Sequence, residues 1–271
     1  MSARNSQAKK AAARERLREE RERQAKKDRM RRQLVVACSA VAVLAVAGGI
    51  GYAVVQANKP SHWETAAEAK NVTAPKNTSG ANGTTVVIGS PSAAKTLELY
   101  EDSRCPVCAT FEQSVGSTIE KDVQAGKYKI RYVGATFIDN AAPGEGSKNA
   151  LSALGAALDV SPEAFLKYKA ALYSAKFHPE ENEDKFAEDS YLLEVADSVP
   201  ALKNNAAFKK HVEDGTFDAW AMKMSKTFDD SGVTGTPSLR MDGKPVTVQG
   251  TDNPPMTTEE FGKAITAALA S

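Results

Sequence analysis

Two cysteines stand three positions apart in the run Cys105-Pro106-Val107-Cys108, and this pair is the feature of the chain best suited to chemistry. Two thiols at that spacing can close a disulfide between themselves and exchange it with a third thiol. The run Thr96–Tyr100 (TLELY) before them reads as a strand, and Ala109–Gln124 after them reads as a helix ending at Gly126. That context puts Cys105 at a helix N-terminus, where free backbone N–H groups and the helix dipole favour negative charge. The thiolate is the nucleophile of disulfide exchange. Arg104 adds a cation immediately before it, and Cys108, one turn inside the helix, is the natural resolving thiol.

Two other readings are weaker. A purely structural staple would close a very short loop, and cross-link stabilisation grows with loop length. A structural zinc site normally takes four ligands. The third cysteine, Cys38, lies far upstream, and His62, His178 and His211 are scattered without ligand spacing. Disulfide exchange needs only the two sulfurs, so neither metal nor cofactor is expected.

The elements around the pair are mixed. Thr84–Ile88 and Tyr128–Phe137 alternate in β-branched, apolar and aromatic residues and read as strands. From Gly146 to Asp230 the pattern is helical, with apolar residues three and four apart in Ala150–Leu158, Pro162–Ala175, Tyr191–Val199 and Ala206–Phe228. Strands return at Ser238–Met241 and Val246–Val248 across an Asp242-Gly243 turn. A closing helix, Thr257–Ala270, has Thr257 or Thr258 placed to cap it. The order β-β-α-β, helical block, β-β-α describes an α/β core with a helical insertion at about 146–230.

Upstream, the charge is unevenly shared. The 271 residues carry a net charge of +1, yet residues 1–32 hold 13 Lys/Arg against 5 Asp/Glu. No charge falls in 33–55, and from Gln56 on there are 22 basic and 29 acidic residues. Leu34–Val55 has the roughly 20 apolar residues that cross a bilayer as a helix. Its basic flank would hold the N-terminus in the cytoplasm and place the rest outside. A cleaved signal peptide is the competing reading, but signal cores run only about 7–15 residues. Cys38 opens this apolar run and reads as a small apolar residue, palmitoylation being a minor alternative.

The domain expectations are therefore a basic cytoplasmic arm (1–33), a single transmembrane anchor (34–55), a flexible linker (56–82) and a globular domain (83–271). The arm lacks apolar heptad positions and aromatic residues, which argues against a coiled coil and against nucleic-acid binding. The linker is small and polar and has too little apolar surface to fold. Its Asn-x-Ser/Thr triplets at Asn71, Asn77 and Asn82 follow from that composition.

The run Leu97–Cys108 (LELYEDSRCPVC) resembles the strand-loop-helix of DsbA-like thioredoxin-fold proteins. That family also carries a helical insertion and a Thr-Pro or Val-Pro dipeptide with a cis bond before a late strand, which Gly235-Thr236-Pro237-Ser238-Leu239 matches in type and order. The resemblance covers residues 83–271. It implies that Cys105 forms the mixed disulfide, that Cys108 leaves or resolves, and that Thr236 and Pro237, with Pro106 and Val107, meet an extended substrate. Two positions depart from the pattern. Val107 stands where many relatives have His, and Leu99 where relatives often have a buried acid six residues before the first cysteine. Glu101 and Asp102 read as exposed loop carboxylates.

The resemblance implies an enzyme that forms disulfides in exported, cysteine-containing proteins and is re-oxidised by a quinone-linked integral membrane partner. One alternative keeps the fold and reverses the electrons, giving a membrane-tethered reductase or isomerase. Another is a redox-inert peptide-binding module, which would not need both cysteines.

Overall fold

The computed structural model describes residues 60–271, together with Lys26 and Lys27, which are helical. The rest of the arm, the proposed anchor Leu34–Val55 and residues 56–59 lie outside the described residues. Among the described residues, no helix is long and apolar enough to cross a membrane.

In chain order the elements are α1 (His62–Glu68), β1 (Val86–Ile88), β2 (Thr96–Asp102), α2 (Pro106–Phe111) and, after a π turn at Glu112–Gly116, α3 (Ser117–Gln124). Then come β3 (Lys129–Ala135), α4 (Ile138–Ala141), α5 (Gly146–Val160), α6 (Pro162–Leu172), α7 (Asp189–Ala196), α8 (Ala206–Glu213) and α9 (Asp218–Asp229). β4 (Ser238–Met241), β5 (Lys244–Pro245) and α10 (Thr258–Ala270) complete the chain. The expected helical insertion is present, and the architecture is a thioredoxin fold.

The sheet order is β1-β3-β2-β4-β5. β2 and β3 run parallel at its centre, with Leu97 opposite Ile130 and Leu99 opposite Tyr132. A parallel pair needs a crossover, which α2, the π turn and α3 supply. β1 pairs antiparallel with β3, and β4 with β2. Leu97, Leu99, Ile130 and Tyr132 are all buried, so the inward positions of both central strands meet the helices.

Several boundaries differ from the sequence expectation for definable reasons. The single run Ala206–Phe228 is two helices because Gly215, at φ +60°, turns the chain after α8. The last hairpin closes directly on its turn, with Asp242 and Gly243 both at positive φ, so Lys244–Pro245 pairs with β4. Val246 still donates its N–H to Leu239, at 2.9 Å, but strand pairing goes no further. Thr257 caps α10 with a reciprocal box, its side chain accepting from Glu260 N–H while Glu260 accepts from Thr257 N–H.

The linker expectation for 56–82 is corrected from Ser61 onward. Trp63 is buried, and His62 Nε2 lies 2.6 Å from Asp218 Oδ2 at the start of α9. Lys223 Nζ donates to Ala67 O at 2.6 Å, Lys76 N–H to Asp159 at 2.8 Å, and Asn77 Nδ2 to Leu158 O at 2.9 Å. The segment has no core of its own, as its composition says, but it folds by docking on the helical block.

Candidate active site

β2 carries the chain to the cysteines. Its last residue, Asp102, accepts hydrogen bonds from Arg104 N–H (3.0 Å), Ile138 N–H (3.1 Å) and the Ser147 hydroxyl (2.6 Å), which fixes the turn that follows. Cys105 is the N-cap of α2, in extended conformation, and its Sγ accepts from Cys108 N–H at 3.4 Å. Pro106 occupies the first helical position, where a missing N–H costs nothing. Both cysteines are free thiols; Cys105 is 5% exposed, Cys108 fully buried and Val107, between them, 50% exposed. Ala109, Ile138 and Tyr173 pack around the two sulfurs.

The loop before β4 closes the site. The Thr236–Pro237 peptide is cis, and Cys105 Sγ lies 3.5 Å from Thr236 O. The structure thus brings Cys105, Cys108 and Thr236 together, with Pro237 next in chain, and leaves Pro106 and Val107 exposed at the helix start.

The two thiols are electrostatically unequal. Cys105 is lowered to about 6 by the hydrogen bond from Cys108, helped by N–H groups of Cys108 and Val107 and by the Thr236 side chain, against the effect of burial. Cys108 is pushed well above the ordinary thiol range by burial, by its bond to Cys105, and by the charges of Cys105 and Glu101. The two thiols are therefore distinguished by environment alone.

Two carboxylates are misjudged by the sequence reading. Glu101 and Asp102 are not exposed loop residues; both are fully buried. The cause is that β2 extends past Tyr100, pairing Glu101 with Gly134 and Asp102 with Ala135, under the helical block. Residues 96–101 contain no turn residue, which was the available signal for Glu101; Asp102 carried none. Burial pushes Glu101 up to about 7, with Lys169 opposing and the charges of Glu112 and Cys105 adding to the rise. Lys169 Nζ lies 3.1 Å from Glu101 Oε2 and 2.5 Å from Glu112 Oε2. Burial likewise raises Asp102 to about 6 against its three hydrogen-bond donors. Arg104 is also buried, and its guanidinium meets Asp139, Ala142 O, Glu181 O and Asp184. Its charge is committed to that cluster.

Residues 81–267 match the family model described as thioredoxin. The chain belongs to the thioredoxin family. It is 28% identical over 158 residues to the serine/threonine-protein kinase PknE of Mycobacterium tuberculosis, a match covering 56% of this chain and 27% of the kinase. The chain thus spans about a quarter of that relative's length. It is 23% identical over 159 residues to disulfide bond formation protein D of Bacillus subtilis, covering 58% of this chain and 68% of that protein. The oxidised crystal structure of DsbA from Mycobacterium tuberculosis superposes with a TM-score of 0.54 at 24% identity, covering 69% of this chain and 98% of that one. The fold is DsbA-like.

Proposed function

We propose that this chain is a thiol–disulfide oxidoreductase that forms disulfides in exported proteins through Cys105 and Cys108. The observation that carries the reading is the unequal pair: a thiol lowered to about 6 at a helix cap beside a fully buried one raised well above the ordinary range. A relative named for disulfide bond formation supports the same direction.

In the oxidised protein a substrate thiolate attacks Cys105 Sγ, the Cys105–Cys108 bond breaks, and Cys108 leaves as a thiolate that takes up a proton. A second substrate thiolate attacks the substrate sulfur of the mixed disulfide, and Cys105 leaves as its stabilised thiolate. The substrate gains a disulfide, and the pair gains two electrons. Exposed Pro106 and Val107 and the Thr236–Pro237 loop form the surface the substrate meets. A quinone-linked membrane protein would accept the electrons, and Leu34–Val55 would tether the domain on the outer face of the membrane.

The purified full chain in detergent tests this reading. The reduction potential in glutathione buffers should lie toward about −120 mV, and Cys105→Ser should abolish oxidation of a dithiol peptide. A potential near about −270 mV would make the enzyme a tethered reductase. Undiminished oxidation by Cys105→Ser would remove the assigned chemistry.

A further inference from the structure

The helix that begins at the cysteines is interrupted one turn later by the π turn Glu112–Gly116. Such a turn inserts a residue into the helical ladder and re-aims the side chains around it. Here Glu112 faces inward, its side chain 8% exposed, and reaches the Nζ of Lys169 at 2.5 Å. Lys169 is itself buried and already lies 3.1 Å from Glu101.

Gly116 makes that second contact sterically available. A Cβ at this position would lie 2.6 Å from Glu112 Cδ and 2.8 Å from both carboxylate oxygens, inside any permitted approach. The backbone does not require glycine, since φ −52° and ψ −43° are ordinary helical values. Glycine in a helix interior is destabilising by about 0.5–1 kcal/mol relative to alanine. What its absent side chain provides is the space that the Glu112 carboxylate fills.

We propose that Gly116 is a positioning residue for the cysteine site: lacking a Cβ, it admits the Glu112 carboxylate to Lys169, so that Glu101 shares this ammonium with a second acid. The placement bears on the cysteines through the charge of Glu101 on Cys108, a consequence that rests on the proposed exchange chemistry; the placement itself does not. The charged and titratable groups around Glu101 are Lys169 and Tyr173 from α6 and its end, Glu112 from the π turn, Cys105 and Cys108 from the start of α2, Tyr132 from β3, and its neighbour Asp102. Of these groups only Lys169 is cationic. Glu112 acts on Glu101 twice, by competing for that cation and by adding a like charge, and both effects favour the protonated acid.

The test is the titration of the Glu101 carboxyl, followed by carbon NMR in the reduced full chain in detergent. It is compared among the parent, Gly116→Ala, Glu112→Gln and the double variant. In the parent the midpoint should lie near 7. Gly116→Ala should expel the Glu112 carboxylate, the flexible partner in the clash, and lower the midpoint by about one unit or more. Glu112→Gln should shift it in the same direction, and the double variant should add nothing further. An unmoved midpoint in Gly116→Ala or in Glu112→Gln, or additive shifts in the double variant, would overturn the proposal. If Cys105→Ser retains exchange, the assigned reaction falls while the titration result stands.

Discussion

Arg104 Nη1 lies 2.9 Å from Asp139 Oδ1 in an ion pair whose side chains are 2% and 0% exposed. The pair joins the residue before Cys105 to the beginning of the helical insertion, because Asp139 also accepts from Ser147 N–H (2.9 Å) and Lys148 N–H (3.1 Å) in the first turn of α5. The carboxylate thus serves a guanidinium and the positive end of a helix at once.

Asp139→Ala should therefore cost about 3–5 kcal/mol, the range for removing one partner of a buried pair and stranding the other charge. Urea unfolding measures this directly. Asp184, which lies 3.3 Å from Arg104 Nε, is the remaining counter-charge and sits at the edge, 27% exposed. A loss below about 1 kcal/mol, the worth of an exposed pair, would show that Asp184 alone suffices.

The Cys105 thiolate should appear as pH rises through about 6. Its folded value is depressed from 9.0, so its contribution to the stability of the reduced state is complete above pH 9 and lost as pH falls through about 6. Absorbance at the thiolate band and the alkylation rate should both follow that midpoint. Cys108→Ala removes the largest cause of the depression and should move the midpoint upward. No upward movement in that variant would mean that the backbone N–H groups and the Thr236 side chain hold the thiolate without the Cys108 thiol.

Trp63→Ala should release the docked segment 61–82. Burying a tryptophan is worth about 3–5 kcal/mol against alanine, so the undocked population should rise by about a hundredfold or more. Trypsin cleavage after the exposed Lys70 reports that opening. If cleavage is no faster than in the parent, Lys76, Asn77 and Lys223 hold the segment without the indole.

Local patterns revealed what depends on near neighbours. The alternation of Leu97 and Leu99, the N-cap role of Cys105 before Pro106, and the Thr257 cap could all be read from adjacent residues. What stayed hidden depends on distant ones. Glu101 is buried because Lys169, 68 positions later, meets it. His62 and Trp63 are anchored by a helix that begins at Asp218, 156 positions on from His62. No property of either segment in isolation announces its partner, and a polar composition predicts solvent exposure until the partner is known. The π turn was hidden for a different reason: its apolar spacing in Phe111, Val115 and Ile119 is that of an ordinary helix, and all three are buried.

Val107 is 50% exposed and directly precedes Cys108, a position from which a cation would face the Cys105 thiolate from the solvent side. Val107→His should place a protonated imidazole near that sulfur below the histidine midpoint of about 6.5. A nearby cation favours the thiolate, so the Cys105 midpoint should fall below about 6. Each unit of that fall stabilises the reduced pair by about 1.4 kcal/mol, which for two electrons makes the potential about 30 mV more positive. The variant should thus be a stronger oxidant than the parent, and increasingly so as pH drops from about 8 to 6 and the imidazole gains its proton. Titration in glutathione buffers across that range measures the slope. A potential that does not move, with an unshifted thiolate midpoint, would mean that the imidazole turns to solvent and that the existing hydrogen bonds to Cys105 set its reactivity.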